Sequence, residues 1–178
     1  YYPQLAKLLF ETVVDISRKT GAKFSMVNLS GGIGVAYRPE EQEPDVVAIG
    51  EGVRVYASAR IWAPWNLSMG DFSVLGDFVD CYAVDRIEIG AHTVVSQYVF
   101  LCAATHDVDQ PAFPLITKPI RIGAHAWVAA DAFIGPGVTV GDGAVVGARA
   151  SVFRDVEPWC VVGGNPARLI RKRKGADQ

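Results

Sequence analysis

The sequence predicts an all-β fold, a parallel β-helix assembled from six-residue units. Aliphatic residues recur six apart, without a miss, at Ile122, Val128, Ile134, Val140, Val146 and Val152. The next residue is Gly or Ala in five of these six units, and the fifth position is always small or apolar. A six-residue period fits neither a helix nor a simple strand, but it fits a short strand followed by a turn. Three such units close one coil, and stacked coils pair through parallel strands about 4.8 Å apart.

The same period runs upstream of this array, with two shifts of phase. Ile89, Val95 and Leu101 are also six apart, and the phase slips by two residues at Leu67-Ser68 and again at Ile87-Glu88. The solenoid is therefore predicted over 49–157. Its coils are expected at about 49–66, 69–86, 89–106, 122–139 and 140–157. The gap between Leu101 and Ile122 predicts an inserted loop at about 103–121.

Outside the repeat, residues 1–48 are predicted to form an N-terminal helix and an irregular cap. The helix is expected over residues 3–20, where apolar side chains fall on one stripe, at Leu5, Leu8, Leu9, Val13 and Ile16. A helix that caps the solenoid is favoured over one that lies on a membrane surface. Residues 25–48 are Gly-rich, then acidic, and are expected to be irregular. Residues 158–178 follow the last coil as a basic C-terminal tail.

Composition excludes several classes of protein. The chain has 178 residues, enough for one domain with a substantial core, and its net charge of −2 gives no reason to expect a nucleic-acid partner. No apolar run approaches the length of a membrane span, so membrane association is not expected. The three cysteines, Cys81, Cys102 and Cys160, form no Cys-x-x-Cys pair. We interpret them as free thiols in a reducing compartment and expect a cytoplasmic protein.

Three sequence features together resemble the hexapeptide-repeat acetyltransferases. These features are the six-residue repeat, "LCAATHD" at its interruption and "VVGGNPARLIRKR" at its end. The resemblance is to the sugar O-acetyltransferase branch, which includes maltose and galactoside acetyltransferases. "ARIWAPWNL" and "VDCYAVDRIEIG" are similar to the colanic-acid-type polysaccharide acetyltransferases.

The resemblance covers about Ile49 to Arg173 and implies both structure and activity. It implies left-handed coils and a homotrimer with clefts between neighbouring solenoids. Acetyl-CoA would lie along such a cleft as co-substrate, and no metal would be required. The implied reaction moves an acetyl group to a sugar hydroxyl, in polysaccharide or glycoconjugate biosynthesis. Whether the acceptor sugar is free, nucleotide-linked or lipid-linked is left open.

His106 matches the histidine that serves as general base in this family, by its place at the end of a coil, just before the loop. An imidazole titrates near neutrality and can take the proton of a hydroxyl as it attacks the thioester. Asp107, which is adjacent, and Asp80, a little more than one coil earlier, are the candidates for a group that orients the imidazole. An Asn that assists in galactoside-type enzymes is matched here by Ala83.

The resemblance also suggests binding residues for the donor and the acceptor. Small wall positions are candidates for contact with pantetheine, at Ala129, Ala130 and Ala148. Guanidinium groups can bind phosphates by paired hydrogen bonds, and the candidates are Arg154, Arg168 and Arg171. The turn "GGNPAR" favours Arg168 most, and a solvated basic tail is the alternative. Candidate faces for stacking on a sugar are Trp62, Tyr82 and Tyr98, with packing as their alternative role.

Two other classes of protein compete with this hypothesis. A γ-type carbonic anhydrase is also a hexapeptide solenoid and binds zinc through three histidines shared between chains. This chain has three histidines, but the spacings from His92 to His106 to His125 do not suit ligands on adjacent coils. His92 and His125 are instead interpreted as exposed wall residues. A non-catalytic scaffold would explain the repeat but neither the His-Asp loop nor the basic tail.

Overall fold

The computed structural model describes residues 18–20 and 48–174 of the chain. The chain divides into two compact units, Tyr1–Val46 and Val47–Gln178. In the first unit residues 18–20 are helical, and the rest of the helix predicted over 3–20 lies outside the described residues. So does most of the segment 25–48. No helix in the described part is long and apolar enough to cross a membrane.

The second unit is a solenoid of short strands. The first three coils contribute β1 (Ala48–Ile49), β2 (Arg54–Val55), β3 (Arg60–Trp62), β4 (Leu67–Met69), β5 (Val74–Leu75), β6 (Asp80–Tyr82), β7 (Ile87–Ile89), β8 (Val94–Val95) and β9 (Phe100–Cys102). A hairpin follows, made of β10 (Ala104–His106) and β11 (Leu115–Thr117). The remaining strands are β12 (Ile120–Ile122), β13 (Trp127–Val128), β14 (Phe133–Ile134), β15 (Thr139–Val140), β16 (Val145–Val146), β17 (Ser151–Val152), β18 (Cys160–Gly163) and β19 (Arg168–Lys172). A 3-10 turn spans Pro64–Asn66.

The strands form three parallel sheets, which are the faces of the solenoid and together make up its wall. Face 1 joins β1, β4, β7, β12 and β15; face 2 joins β2, β5, β8, β13, β16 and β18; face 3 joins β3, β6, β9, β14 and β17. β19 pairs antiparallel with β18 at the end of face 2. We number the corners by chain direction: the first lies between faces 1 and 2, the second between faces 2 and 3, and the third between faces 3 and 1. The predicted parallel β-helix is confirmed.

The strand registers reproduce the predicted starts of the coils. On face 1, Ile49 pairs with Met69, Met69 with Ile89, Ile89 with Ile122, and Ile122 with Val140. Local six-residue spacing was therefore sufficient to fix pairing between residues up to 33 positions apart, because each unit places its aliphatic residue inward.

All of the irregular spacing falls at the third corner. Inward-pointing residues step by six at the first and second corners of the five coils. At the third corner the step is eight from Cys81 to Ile89 and 21 from Leu101 to Ile122, whereas Ile134 to Val140 again steps by six. The two phase slips and the predicted insertion are thus the same kind of event, at the same edge of the solenoid.

The core is a stack of aliphatic ladders inside the three faces. Leu75, Val95, Val128 and Val146 are buried on face 2, and Cys81, Leu101, Ile134 and Val152 on face 3. Burial of this apolar surface is the main stabilising term, at about 25 cal/mol per Å². Close stacking at the first corner also needs a glycine after the inward residue of face 1: a Cβ on Gly70 would lie 2.6 Å from the backbone nitrogen of Ala91. Neighbouring coils could not approach to strand-pairing distance with a side chain there.

Candidate active site

The candidate site is built on the hairpin at the third corner. β10 and β11 pair antiparallel, with Ala104 opposite Thr117 and His106 opposite Leu115. The amide of Lys118 donates to the carbonyl of Ala103 (3.0 Å), which closes the hairpin against the wall. His106 lies at the outer end of β10 with an exposed side chain. A reactive group is therefore held off the wall, on a short and paired support.

The imidazole of His106 has one fixed hydrogen-bond partner. Its Nδ1 lies 2.7 Å from the backbone carbonyl oxygen of Phe113, and the two rings stack with centroids 4.8 Å apart. A carbonyl oxygen can only accept, so Nδ1 must carry the hydrogen and donate. In the neutral imidazole Nε2 is then the unprotonated nitrogen, with a lone pair available to accept a proton.

The two aspartates predicted to orient His106 have other partners. Asp107 accepts hydrogen bonds within the loop, at Oδ1 from the Asp109 amide (3.1 Å) and at Oδ2 from Gln110 Nε2 (2.7 Å). Asp80 lies on face 3 and pairs with Arg60, which is twenty residues earlier and directly adjacent in the sheet (2.5 Å). The second oxygen of Asp80 is buried and has no hydrogen-bond partner among the described residues.

The Asp80 carboxylate also affects a neighbouring thiol. Burial, with a smaller contribution from the charge of Asp80, raises the pKa of Cys81 to about 12. Cys81 is fully buried on face 3 and is a free cysteine. This thiol is therefore a neutral core side chain, as expected for its place in the repeat.

The structure brings two of the three candidate sugar-stacking residues together. Trp62 and Tyr82 lie on adjacent strands of face 3, at the ends that lead into the third corner, and their rings meet edge to face at 6.0 Å. Trp62 is 56% exposed. Tyr98 instead lies at the second corner, where its ring stacks on Phe78 (5.1 Å). Ala83 is buried, and its carbonyl accepts a hydrogen bond from Asn66 Nδ2 (2.9 Å).

The candidate pantetheine positions lie together at the second corner. Ala129 and Ala130 directly follow β13, and Ala148 occupies the matching place one coil later. The amide of Arg149 donates to the carbonyl of Ala130 (3.0 Å), so the two turns stack directly. Tyr98 belongs to the same corner, one coil earlier, and is thus nearer in the repeat to these alanines than to Trp62.

The candidate phosphate-binding arginines lie near the C-terminal end of the solenoid. Arg154 and Arg168 line a groove of about 500 Å³ between the last coil and β19, together with Asp155 and Glu157. The groove therefore has no excess of positive charge, and the basic excess lies along β19 itself. The side chains of Arg168 and Arg171 are exposed, and within residues 48–174 they donate to backbone carbonyls, those of Ala167 (3.0 Å) and Lys172 (3.1 Å). The Asn165–Pro166 peptide bond that precedes Arg168 is cis.

The other two histidines lie in a column of rings at the first corner. His92 stacks on Phe72 (5.3 Å) and on His125 (5.0 Å). All three residues have positive φ, between 55° and 56°, and occupy the same place in successive coils. Within residues 18–20 and 48–174 no three His, Cys, Asp or Glu side chains form a group that could hold a metal ion.

Sequence reasoning missed two residues that organise these regions. Phe113, which holds His106, has no signal in the repeat, because it lies in the insertion where the period is lost. Arg173 donates from Nη1 to the carbonyl of Gly143 (2.9 Å) and lies over the ring of Trp159 (5.5 Å). It therefore closes the first corner, a role that its place in a basic tail did not suggest.

Comparison with known proteins relates this architecture to a family. The family model "Bacterial transferase hexapeptide (six repeats)" matches residues 119–154. The Escherichia coli K12 protein named "Putative colanic acid biosynthesis acetyltransferase WcaF" is 46% identical over 125 residues, which are 70% of this chain and 69% of the relative. A chloramphenicol acetyltransferase of Escherichia coli is 56% identical over 71 residues, covering 36% of this chain and 34% of the relative.

Solved structures show the same fold. The hexapeptide-repeat acetyltransferase VCA0836 of Vibrio cholerae superposes with a TM-score of 0.69 at 29% identity, over 74% of this chain and 77% of that chain. Its complex with acetyl coenzyme A, from Vibrio cholerae O1 biovar eltor, gives a TM-score of 0.60 at 28% identity, over 74% of each chain. Repeat, fold and sequence identity agree with the resemblance seen in the sequence, and the chain belongs to the hexapeptide-repeat acetyltransferases.

Proposed function

We propose that the chain transfers an acetyl group from acetyl-CoA to a hydroxyl of a sugar, in the biosynthesis of a polysaccharide or glycoconjugate, with His106 as general base. The observation that carries the proposal is the hydrogen bond from Nδ1 of His106 to the Phe113 carbonyl (2.7 Å). It leaves Nε2 as the proton acceptor on an exposed side chain. A general base must present its lone pair to the acceptor, and this contact achieves that without a second ionisable group.

The reaction balances with these groups alone. The acceptor hydroxyl gives its proton to Nε2 while its oxygen attacks the carbonyl carbon of the thioester. A C–O bond forms, and the carbonyl electrons move to oxygen to give a tetrahedral oxyanion, which backbone N–H groups can stabilise. Collapse of this intermediate breaks the C–S bond. The CoA thiolate then takes the proton from Nε2, and the imidazole returns to its neutral form.

The acceptor class is supported by the surface beside the hairpin. Trp62 and Tyr82 present aromatic surface at the end of face 3, and such faces stack on the apolar faces of sugar rings. The relative WcaF is named for colanic acid biosynthesis. The local identity to chloramphenicol acetyltransferase favours a second candidate acceptor, a hydroxylated antibiotic, which would use the same base and the same donor.

The donor side is supported by the small residues of the second corner and the cations of β19. Ala130 and Ala148 leave the backbone open to a thin ligand. Arg168 carries a guanidinium free of carboxylate partners in the described part of the chain, as phosphate binding requires. VCA0836, whose complex contains acetyl coenzyme A, shares the fold over most of this length.

We also propose that the chain forms a homotrimer, since one solenoid face alone cannot enclose both substrates. Face 3 carries an aromatic ladder of Phe100, Phe133 and Phe153, with centroid distances of 5.6 and 5.5 Å. Phe153 is 58% exposed. Contiguous exposed apolar surface is typical of an interface. Light scattering should give a mass about three times the 19.2 kDa of the chain. A fully active monodisperse monomer would contradict the trimer.

The test of function is an acetyl-CoA turnover screen, read by the release of free thiol. Free sugars, nucleotide sugars, lipid-linked sugars and chloramphenicol serve as acceptors, each with and without a chelator. We expect turnover with a sugar that the chelator leaves unchanged. Turnover with chloramphenicol alone would replace the sugar by the second acceptor. Carbon dioxide hydration that the chelator stops, with no acetyl transfer, would support the zinc enzyme instead.

A further inference from the structure

We propose that Phe113 is the positioning residue for His106, through a left-handed backbone conformation that the Asp107–Gln110 pair holds in place. This inference rests on the proposed function, because it explains how the general base is oriented. It assigns to Phe113 and Gln110 roles that nothing in the repeat suggests. It also gives Asp107 an indirect role, through the loop and not through contact with the imidazole.

The backbone of Phe113 is strained. Its φ is +49°, in the left-handed region that a residue with a side chain rarely adopts. It also precedes Pro114, and a following proline favours an extended backbone with negative φ. Two independent preferences therefore oppose this conformation, and it persists only because surrounding contacts impose it. This left-handed conformation places the Phe113 carbonyl oxygen 2.7 Å from His106 Nδ1.

Contacts inside the loop supply that constraint. Asp107 accepts from Gln110 Nε2 (2.7 Å), and the carbonyl of Gln110 accepts from the amide of Phe113 (2.9 Å). The amide of Asp107 donates to the carbonyl of Pro114 (2.9 Å). Both sides of the strained residue are thus tied back to Asp107, which directly follows the histidine. The loop therefore contains a hydrogen-bond circuit, a set of linked hydrogen bonds that starts at the side chain of Asp107 and returns to its backbone amide.

The chemical consequence concerns the tautomer of His106. If Phe113 relaxed to an extended conformation, its carbonyl would turn away from the imidazole. Nδ1 would lose its acceptor, and either ring nitrogen could then carry the hydrogen. A fraction of molecules would present a protonated Nε2 to the acceptor hydroxyl and could not take its proton. The side chain would also lose its fixed direction.

A series of substitutions at Phe113 separates backbone conformation from packing. Gly adopts positive φ without penalty, Ala does so with strain, and a β-branched Val is the least compatible. We expect kcat to stay within about fivefold of wild type for Phe113→Gly. The kcat should fall progressively for Phe113→Ala and Phe113→Val, by up to about 100-fold, a loss that a 1 Å misplacement of a catalytic group can cause. The KM for acetyl-CoA should be unchanged throughout.

The order of the three variants decides the question. A residue that acted by apolar packing or by contact with the acceptor would retain most activity as Val and least as Gly. That reverse order would overturn the proposal. Loss of activity in all three variants alike would overturn it too, because the ring and not the backbone would then be required.

A second readout does not depend on catalysis. Nitrogen-15 NMR of the histidine rings distinguishes the two tautomers, and the chain has three histidines, so His106→Ala identifies the signal. We expect an Nδ1-protonated ring in wild type and in Phe113→Gly, and a mixture in Phe113→Val. An Nε2-protonated ring in wild type would overturn the inference. If the tautomers behave as expected but no acetyl transfer is found, the proposed function fails and the positioning role stands.

Asp107 offers a matched test within the same loop. Asp107→Ala removes the acceptor of Gln110 Nε2. Asp109→Ala removes a carboxylate that forms no hydrogen bond or ion pair within residues 48–174. We expect Asp107→Ala to reduce kcat about tenfold or more and to mix the tautomers, and Asp109→Ala to do neither. Gln110→Ala should follow Asp107→Ala. Equal effects of Asp107→Ala and Asp109→Ala would mean that loop charge matters, and not the hydrogen-bond circuit.

Discussion

Two histidines in this molecule stack on phenylalanine rings, one on the wall of the solenoid and one in the hairpin. His92 lies 5.3 Å from Phe72 with ring planes 16° apart, and His106 lies 4.8 Å from Phe113 with planes 18° apart. Both side chains are exposed. They differ in hydrogen bonding, because only His106 has a ring nitrogen bonded to another group within residues 48–174.

The difference shows what separates a wall residue from a candidate base. On the wall, His92 and His125 occupy a place that Phe72 also occupies one coil earlier, so the stack accepts either ring. The stack buries ring faces but fixes no proton. In the hairpin, the Phe113 carbonyl fixes the tautomer and direction of His106. Ring stacking recurs at the corners of the coils, whereas the contact between the Phe113 carbonyl and His106 belongs to the insertion.

The largest effect that tests this comparison is expected from His106→Ala. If His106 is the general base, its removal should lower turnover by about 10²–10⁴-fold, because the acceptor proton then has no positioned imidazole to receive it. Binding of acetyl-CoA and folding should stay close to wild type, since the side chain is exposed and outside the core. Steady-state kinetics, calorimetric titration with acetyl-CoA and thermal melting measure the three quantities.

His92→Ala and His125→Ala are the matched controls for His106→Ala. Each removes an exposed imidazole that stacks on a neighbour, and each should leave turnover within about threefold of wild type. If either control is as damaged as His106→Ala, and a chelator also stops the reaction, the comparison fails and a zinc site gains support.

An intermediate effect is expected from a second pair of like residues, Arg168 and Arg173. Arg168 is exposed, and if it holds CoA phosphates, Arg168→Ala should raise the dissociation constant for acetyl-CoA about 10–100-fold. Arg173 already donates to the Gly143 carbonyl (2.9 Å) and stacks on Trp159. Arg173→Ala should therefore lower the melting temperature and leave acetyl-CoA affinity nearly unchanged.

Acetyl-pantetheine sharpens the test of Arg168, because it lacks the nucleotide phosphates. The loss caused by Arg168→Ala should be much smaller with this donor, and Arg168→Lys should recover part of the affinity for acetyl-CoA. Equal losses for both donors would mean that Arg168 acts through folding or assembly. The basic tail would then be a solvated strand.

The smallest expected effect is a change with pH in the free energy of unfolding, caused by Cys81 in the wall of the solenoid. Burial raises the pKa of this thiol to about 12, whereas the pKa of an unfolded cysteine thiol is about 8.5. Between these values the unfolded state binds fewer protons than the folded state, so the free energy of unfolding falls as pH rises. The stability advantage of wild type over Cys81→Ala should narrow by about 2 kcal/mol from pH 8 to pH 10.

Denaturant unfolding at the two pH values measures this change. Val95→Ala removes a buried side chain that does not titrate, and its difference from wild type should be the same at both pH values. If the difference in unfolding free energy between wild type and Cys81→Ala is also the same at both pH values, burial does not raise the pKa of the thiol.

The sequence predicted the wall better than the hairpin, for a physical reason. Each hexad carries its own inward aliphatic residue and its own turn, so counting residues is enough to set the register from Ile49 to Val140. The same counting would have separated Tyr98 from Trp62 and Tyr82, since Tyr98 holds a corner position in its hexad. It would also have paired Arg60 with Asp80 across twenty residues. Grouping residues by type, as the list of candidates did, does not use this positional information.

The hairpin could be located from the sequence, but its contacts could not. The break in the period marked where His106 leaves the wall. Its partner is a backbone carbonyl seven residues later, at a phenylalanine whose conformation both its side chain and the following proline disfavour. No local preference predicts such a conformation, because several hydrogen bonds acting together impose it. Asp107 stays a candidate, and the role that we propose for it acts through the loop.

The concentration of irregular spacing at one corner has a consequence for how such a chain can change over evolution. β9 pairs directly with β14, and β7 with β12, so the wall closes across the insertion as if it were absent. The hairpin is in this sense not needed for the strand pairing of the solenoid. Insertions, deletions or grafts between Ala103 and Pro119 need not disturb any rung of the solenoid. The segment around His106 could therefore vary in length and sequence, while the scaffold that folds and stacks stays the same.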